Sequence, residues 1–310
     1  MISSDLLKKA FINGAQNISL HAQEVNSINV FPVPDGDTGT NLALTLIGCA
    51  EKIKDFPNMG AGELADRIAG ELFRSARGNS GVIFSLIFKG FAQSIEGLDY
   101  IDAYSLARGL EAGCDEAYAA VGKPTEGTIL TVIRLAAAKA NSAAAKGKSA
   151  YETFLCAVNG ARASLKSTPN LLPTLKKHGF VDAGGQGLVY IMEGMLNIKN
   201  DIAFIKPEPN KKSAVSQAEI SFIYCTEFLI NEAKSTDINS FRRYLADIGD
   251  CPAVAEHSGI IKVHVHTNRP DKAISRALEI GELSDIKIDN MKLQTQNGVK
   301  QWNSTQASNI

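Results

Sequence analysis

The sequence predicts two parts: an all-α domain of eight helices, arranged as a bundle or barrel, and then a small α+β sandwich of ferredoxin-like order. Three observations predict this. Through the first two hundred residues, apolar side chains recur at helical spacing. At "KPEPNKKSAVSQAE", Lys206 to Glu219, the composition turns to prolines, charges and small polar residues, as in a linker. Beyond it the apolar period drops to two. The expected boundaries are 1–200 for the helical domain, 201–219 for the linker, 220–294 for the α+β domain and 295–310 for a polar tail.

The helical segments fall at 4–27, 40–54, 61–76, 81–95, 101–121, 128–145, 149–165 and 185–198, separated by Gly, Pro or Asn. "LTVIRLAAAKANSAAAKG" is rich in alanine, a strong helix former. In the second part "ISFIYCTEFLI" reads as a strand and 237–248 as a helix. "CPAVAEH" and "GIIKVHVHT" read as strands, 270–281 as a helix and "SDIKIDNMKL" as a last strand. The order βαββαβ is the ferredoxin-like one.

The 310 residues carry a formal net charge of −1, which gives no electrostatic case for nucleic acid or a membrane surface. No apolar run reaches the roughly 18 residues that span a bilayer. Five cysteines without close pairs do not make a disulfide framework, and the expected compartment is a reducing cytoplasm. No stretch reads as a lipid cavity.

The chemistry concentrates at "NVFPVPDGDTGTN", Asn29 to Asn41. Asp35 and Asp37 flank Gly36, so a sharp turn can bring both carboxylates to one small volume. Pro32 and Pro34 stiffen the approach, and Asn29 can add an oxygen. Thr38, Thr40 and Asn41 begin the next helix, where hydroxyls and exposed N–H groups suit a phosphate. Oxygen-only ligands select Mg²⁺ or Ca²⁺. A calcium EF-hand loop fails, because the sixth position is Thr40, not Gly, and the twelfth is Leu46, not Glu. An Asp-rich turn that merely caps the helix is the other reading, and the loop alone does not separate the two.

Similar junctions recur. "ARGNSG" sets Gly78, Asn79, Ser80 and Gly81 at a helix start; "EGTILTV" sets Gly127 and Thr128 at another; "DAGGQG" sets Asp182, Gly184 and Gly185 at a third. Each alone is a turn or cap. Four together point to a polyphosphate site at one end of the helical domain. Neither a Walker motif nor a Rossmann fingerprint is present.

In this order the four motifs resemble the nucleotide-binding domain family of dihydroxyacetone kinases (DhaL or Dak2), and more narrowly the ATP-binding subunits of bacterial fatty-acid kinases. The resemblance covers roughly residues 1–200, and the next hundred resemble the middle domain of those subunits. It implies an eight-helix barrel holding ATP or ADP with two Mg²⁺ at one end. It implies Asp35 and Asp37 as magnesium ligands and as the catalytic centre, with Asn29 where related kinases carry a third Asp. Thr38, Thr40, Asn41, Gly78, Asn79, Ser80, Gly81, Gly127 and Thr128 would line the phosphates and nearby nucleotide, with Asp182 to Gly185 closing the pocket. Arg77 adjoins the glycine loop and could stabilise the leaving diphosphate; an exposed helix-end cation is its plainer reading.

The implied reaction moves the ATP γ-phosphate to a fatty-acid carboxylate, presented by a separate fatty-acid-binding carrier (FakB-like), to give an acyl phosphate for phospholipid metabolism. Alternatives are a kinase for a small hydroxy-ketone such as dihydroxyacetone, or a non-catalytic nucleotide- or metal-binding regulatory module. Family members usually continue into a large C-terminal domain that engages the carrier, whereas these 310 residues stop at Ile310, as in a fragment or a short natural form, so the docking domain is expected to be missing here. A homodimer is compatible with the sequence.

A second candidate site is "KVHVHTN". His264 and His266 share one face of a strand, while Ile261, Val263 and Val265 take the other. Cys225 lies in the first strand, which neighbours the third in a ferredoxin-like sheet. One Cys and two His suit Zn²⁺ with an open position. Two exposed histidines and a buried thiol are the plain alternative. The resembled middle domain carries a similar Cys and His-x-His set. His21, His178 and His257 read as surface or helix-end residues.

Overall fold

The structure, a computed structural model, describes residues 1–121, 124–197, 221–233 and 238–293. The expected linker and tail lie outside the described residues. The rest divides into two compact units. The first comprises Met1–Phe31 and the helices from Asp37 onward; the second comprises the loop Pro32–Gly36 and the strands and helices from Tyr224 onward.

Among the described residues the first unit contains eight long helices: α1 (Ser4–Leu20), α3 (Thr38–Ile53), α4 (Ala61–Ser75), α5 (Gly78–Ser94), α6 (Ala103–Ala120), α7 (Ile129–Ala145), α8 (Ala150–Leu171) and α10 (Ala183–Leu196). Two short ones, α2 (Ala22–Ser27) and α9 (Pro173–His178), lie between them. Neighbouring pairs run α1–α3–α4–α5–α6–α7–α8–α10 and back to α1, so the helices close into a ring. Each turns its apolar stripe inward, and Phe11, Ile18, Leu42, Leu46, Leu64, Ile68 and Leu72 are fully buried there. Each such side chain stabilises the fold by about 1.5–3 kcal/mol.

Local chemistry accounts for the helix ends. Ser3 caps α1 by accepting the Leu6 N–H, and Asp102 caps α6 by accepting that of Ser105. Ser149 and Glu152 form a capping box at α8. Gly179, at φ +71, ends α9 where the His178–Gly179 pair predicts a stop.

Several boundaries differ from the expectation by a few residues, and three of them are instructive. The predicted helix 4–27 breaks at His21. Nδ1 of that residue lies 2.8 Å from the Asn17 carbonyl, and its ring stacks 4.1 Å from Tyr190 of α10. Helix α8 runs past residue 165 and through Pro169, because the Thr168 hydroxyl donates to the Leu165 carbonyl that the proline cannot serve. The last strand ends at Asn290, and Met291–Leu293 turn helical.

The ring is not packed solid. An apolar cavity of about 320 Å³ lies among the N-terminal parts of α1, α6 and α8, the body of α5 and the C-terminal part of α10. Leu7, Phe84, Phe88, Phe154, Ile191 and Met192 line it. The sequence predicts no such cavity. Periodicity tells which residues face inward, not whether they meet. Among the described residues no helix is long and apolar enough to cross a membrane.

The second unit contains β1 (Tyr224–Asn231), α11 (Ile238–Ile248), β2 (Gly249–His257), β3 (Ile260–Thr267), α12 (Pro270–Leu278) and β4 (Glu282–Asn290). The sheet is antiparallel with order β2-β3-β1-β4, as the ferredoxin-like reading requires. Phe228, Ile230, Val254, Ile261, Val263 and Val265 pack with Phe241 and Leu245 of α11 and Ala273 and Ala277 of α12. With a period of two, the opposite face receives Cys225, Glu227, Lys262, His264 and His266.

Candidate functional site

In the first unit the helix starts singled out by sequence meet one another. Gly78 opens α5 at φ +58, and a Cβ built on it would sit 2.4 Å from Nδ2 of Asn41, in the first turn of α3. Thr45 of α3 accepts the Arg77 N–H at 3.0 Å. A Cβ on Gly187 would meet Leu42 Cδ1 at 2.3 Å, which brings the first turns of α10 and α3 together. One on Gly184 would lie 3.4 Å from both Ser80 Oγ and Ile129 Cβ, so α10 also touches the starts of α5 and α7.

Asp182 ties two of these starts. It is 4% exposed. Its Oδ2 accepts the Gly185 N–H at 2.7 Å, and the Ile129 N–H faces the same carboxylate. Burial pushes the carboxyl up to about 7, against those two N–H donors. Thr128 caps α7 by accepting from Leu130, and Gly127 precedes it at φ +86.

The start of α3 is capped from afar. Asn26 Oδ1 accepts the N–H groups of Gly39 and Thr40 at 2.8 and 3.1 Å, and its Nδ2 donates to the Thr40 hydroxyl at 2.9 Å. Asn29 Oδ1 accepts the N–H of Thr38 at 3.3 Å and, at closer range, its hydroxyl. Asp37 holds the N-cap position, yet its side chain makes no cap bond. The first amides of α3 are therefore engaged by asparagines rather than open to a phosphate. Asn41, Asn79 and Ser80 are half-buried and Arg77 is exposed. The start of α5 receives no side-chain bond from its N-cap residue, Arg77. Asp35 and Gly36 lie in the loop ahead of α3, and Gly36 takes φ 68, the sharp turn expected between the carboxylates.

Sequence reasoning missed Asn26 and Thr45. No local pattern marks either, because each acts on a helix that the fold brings to it.

In the second unit the sheet register assembles the other candidate. Cys225 of β1 lies opposite His266 of β3, and Glu227 opposite His264. One ligand atom from each of Cys225, His264 and His266 lies within 4.8 Å of the others. The two imidazole Nε2 atoms are 3.2 Å apart. Glu227 Oε1 lies 2.8 Å from His264 Nδ1, and Asp250 Oδ1 lies 3.2 Å from His266 Nδ1. Each ring thus has a carboxylate on the nitrogen turned away from the other ring, the orientation that holds metal-binding histidines. Burial works against the Glu227 carboxylate, but the hydrogen bond from His264 and the charge interactions with His264, Lys262 and Lys287 together outweigh it and hold the carboxyl down to about 2. One thiolate and two imidazoles with their outer carboxylates fit a tetrahedral divalent ion. Sequence reasoning missed Glu227 too, although it stands two residues from Cys225 on the same strand face and that spacing could have found it. No such spacing marks Asp250, because a break in strand register sets its place.

Comparison with known proteins follows the same division. Residues 32–197 match the DAK2 domain family, and residues 221–298 match the FakA-like middle domain family of fatty acid kinases. The chain belongs to the DAK2 domain family.

An uncharacterized protein of Staphylococcus saprophyticus is 40% identical over 96% of this chain and 57% of its own length. Uncharacterized proteins of Staphylococcus haemolyticus and Staphylococcus aureus are each 38% identical over 94% of the chain and 56% of theirs. The chain spans a little over half the length of these relatives. Among solved structures, the C. freundii dihydroxyacetone kinase in complex with AMP-PNP and Mg²⁺ is similar at TM-score 0.48 and 20% identity, over 62% of this chain and 33% of its own. The native form of that kinase gives TM-score 0.47 at 19% identity, over 63% of this chain and 35% of its own.

Proposed function

We propose that the helical unit binds ATP and two Mg²⁺ as part of a phosphotransferase whose acceptor is a fatty-acid carboxylate presented by a separate lipid-binding protein. The observation that carries this reading is the meeting of four helix starts, those of α3, α5, α7 and α10, in one region of the ring. Their dipoles put fixed positive potential where a polyphosphate would lie, with no reorganisation needed during reaction. Membership of the DAK2 domain family supports it, as does the match of the second unit to a fatty acid kinase middle domain.

Asp35 and Asp37 would hold the magnesium ions, and Asn29 would add a further oxygen. Asp37 stands at the N-cap position of α3, directly after Gly36, whose sharp turn can bring the two carboxylates together. Bound magnesium bridges phosphate oxygens and offsets the charge that moves during transfer. Gly78, Asn79, Ser80 and Gly81 would face the phosphates from the start of α5, with Thr38, Thr40 and Asn41 beside them. Gly127, Thr128, Asp182, Gly184 and Gly185 would shape the nucleotide pocket. Arg77, exposed at the N-cap of α5, is the cation for the leaving diphosphate. No general base is required, since a carboxylate acceptor is already ionised at pH 7.

Cys225, His264 and His266 would hold Zn²⁺, supported by their ligand distances and by the carboxylate on each ring. It would order the sheet face or contact the acceptor.

The test is calorimetry with ATP and Mg²⁺, followed by incubation with ATP, a fatty acid and a fatty-acid-binding carrier. Binding and acyl phosphate are expected. A folded chain that binds no nucleotide overturns the reading. Product from dihydroxyacetone, and none from the fatty acid, replaces the acceptor.

A further inference from the structure

We propose that the cysteine–histidine face of the sheet takes two metal ions: one on Cys225, His264 and His266, and a second on Asp250, Cys251 and His266, with the His266 ring between them. The proposal rests on the reading of the first triad as a zinc site, and extends it.

Three observations carry it. First, the two nitrogens of His266 face different partners. Nε2 lies 3.2 Å from His264 Nε2, and Nδ1 lies 3.2 Å from Asp250 Oδ1. Second, one ligand atom from each of Asp250, Cys251 and His266 lies within 4.8 Å of the others, the same closeness as in the first triad. Third, the backbone departs from regular strand form where it must to achieve this. Asp250 lies opposite His266, so simple alternation would send Cys251 to the helix-packed face. The register shifts between Asp250 and Ala253, and Cys251 takes φ 51, a left-handed conformation rare for a side-chain-bearing residue. A bulge of this kind re-aims a side chain, and here the thiol comes round to Asp250 and His266.

Carboxylate, thiolate and imidazole, with water in a fourth position, suit Zn²⁺ or a related borderline divalent ion. Charge and protons balance. The thiols of Cys225 and Cys251 each release one proton, and His266 releases its remaining N–H proton to bridge through both nitrogens. With the Asp250 carboxylate, four negative charges then meet the four positive charges of two divalent ions. Before any ion binds, the Cys251 thiol is protonated, because burial and the neighbouring Asp250 carboxylate push it up to about 12.

The experiment uses the whole chain, stripped with a chelator and refilled with Zn²⁺ or Co²⁺. Metal per chain is counted by mass analysis, and thiolate-to-cobalt charge transfer is followed in the near ultraviolet. Two equivalents, entering with two thiolate bands, are expected, and Cys251→Ser should lower the count to one. Asp250→Asn provides a second readout should Cys251→Ser fail to fold. The Asp250 side chain is 45% exposed, and the second equivalent, which loses a direct ligand, is expected to weaken at least tenfold more than the first, which loses only the carboxylate behind His266. One equivalent that Cys225→Ser removes and Cys251→Ser keeps overturns the second site while the first stands. No metal in the wild-type chain overturns both.

Discussion

The carboxylate of Asp182 accepts the backbone N–H of Gly185 at 2.7 Å, and the N–H of Ile129 faces the same carboxylate, so the residue that caps α10 also stands at the start of α7. This contact joins two of the four helix starts on which the nucleotide reading rests.

It also sets a pH dependence. The folded-state pKa of Asp182, about 7, lies above its ordinary 3.8. Between those values the folded chain binds more protons than the unfolded one, so this contribution to stability is full below about pH 4 and is lost as pH rises through about 7. The two pKa values set an upper bound of about 4 kcal/mol on that loss. Asp182→Asn should flatten the fall. Urea midpoints for both proteins at pH 4.5 and 7.5 check it, and equal slopes would refute the coupling.

Asn26→Ala should destabilise the helical unit by about 1–3 kcal/mol, since it strips the acceptor from two N–H groups at the start of α3. Thermal melting reads the loss, and an unchanged midpoint would show that another group caps α3.

Asp37→Ala should behave in the opposite way. Helicity should be kept, since Asn26 and Asn29 supply the cap of α3. Magnesium-dependent ATP binding and phosphoryl transfer should vanish. Retained turnover would remove Asp37 from the metal site.

Two glycine substitutions separate backbone strain from simple crowding. Gly78→Ala meets both a left-handed φ and Asn41 Nδ2 at 2.4 Å, and should cost about 1–3 kcal/mol along with ATP affinity. Gly184→Ala meets nothing nearer than 3.3 Å and should fold normally. Equal destabilisation of the two by urea titration would contradict the geometry described for α5.

Glu227→Gln should weaken metal at Cys225, His264 and His266 by about 10–100-fold, because the carboxylate fixes the His264 ring. Competition with a chromogenic chelator measures it.

Much of the fold was legible locally. The stretch around Phe11 and Ile18 announces a buried helix face, and "KVHVHTN" announces a strand with His264 and His266 on one side. Gly78, Thr128 and Asp182 mark their helix starts by short-range cap and turn chemistry. The break at His21 and the continuation through Pro169 escaped that logic. Tyr190 lies far along the chain from His21, and the Thr168 hydroxyl repairs a defect that proline statistics count as terminal.

The sequence alone determined the order and kind of elements, the residues at each helix start and the shared face of Cys225, His264 and His266. Those features depend on interactions within one turn or one pleat. The tertiary structure alone decided that the helix starts meet, that Asn26 rather than Asp37 caps α3, that Asp182 serves two helices, that Cys251 turns toward His266 and that the ring leaves a cavity. Each of these depends on where distant segments pack, which local periodicity does not encode.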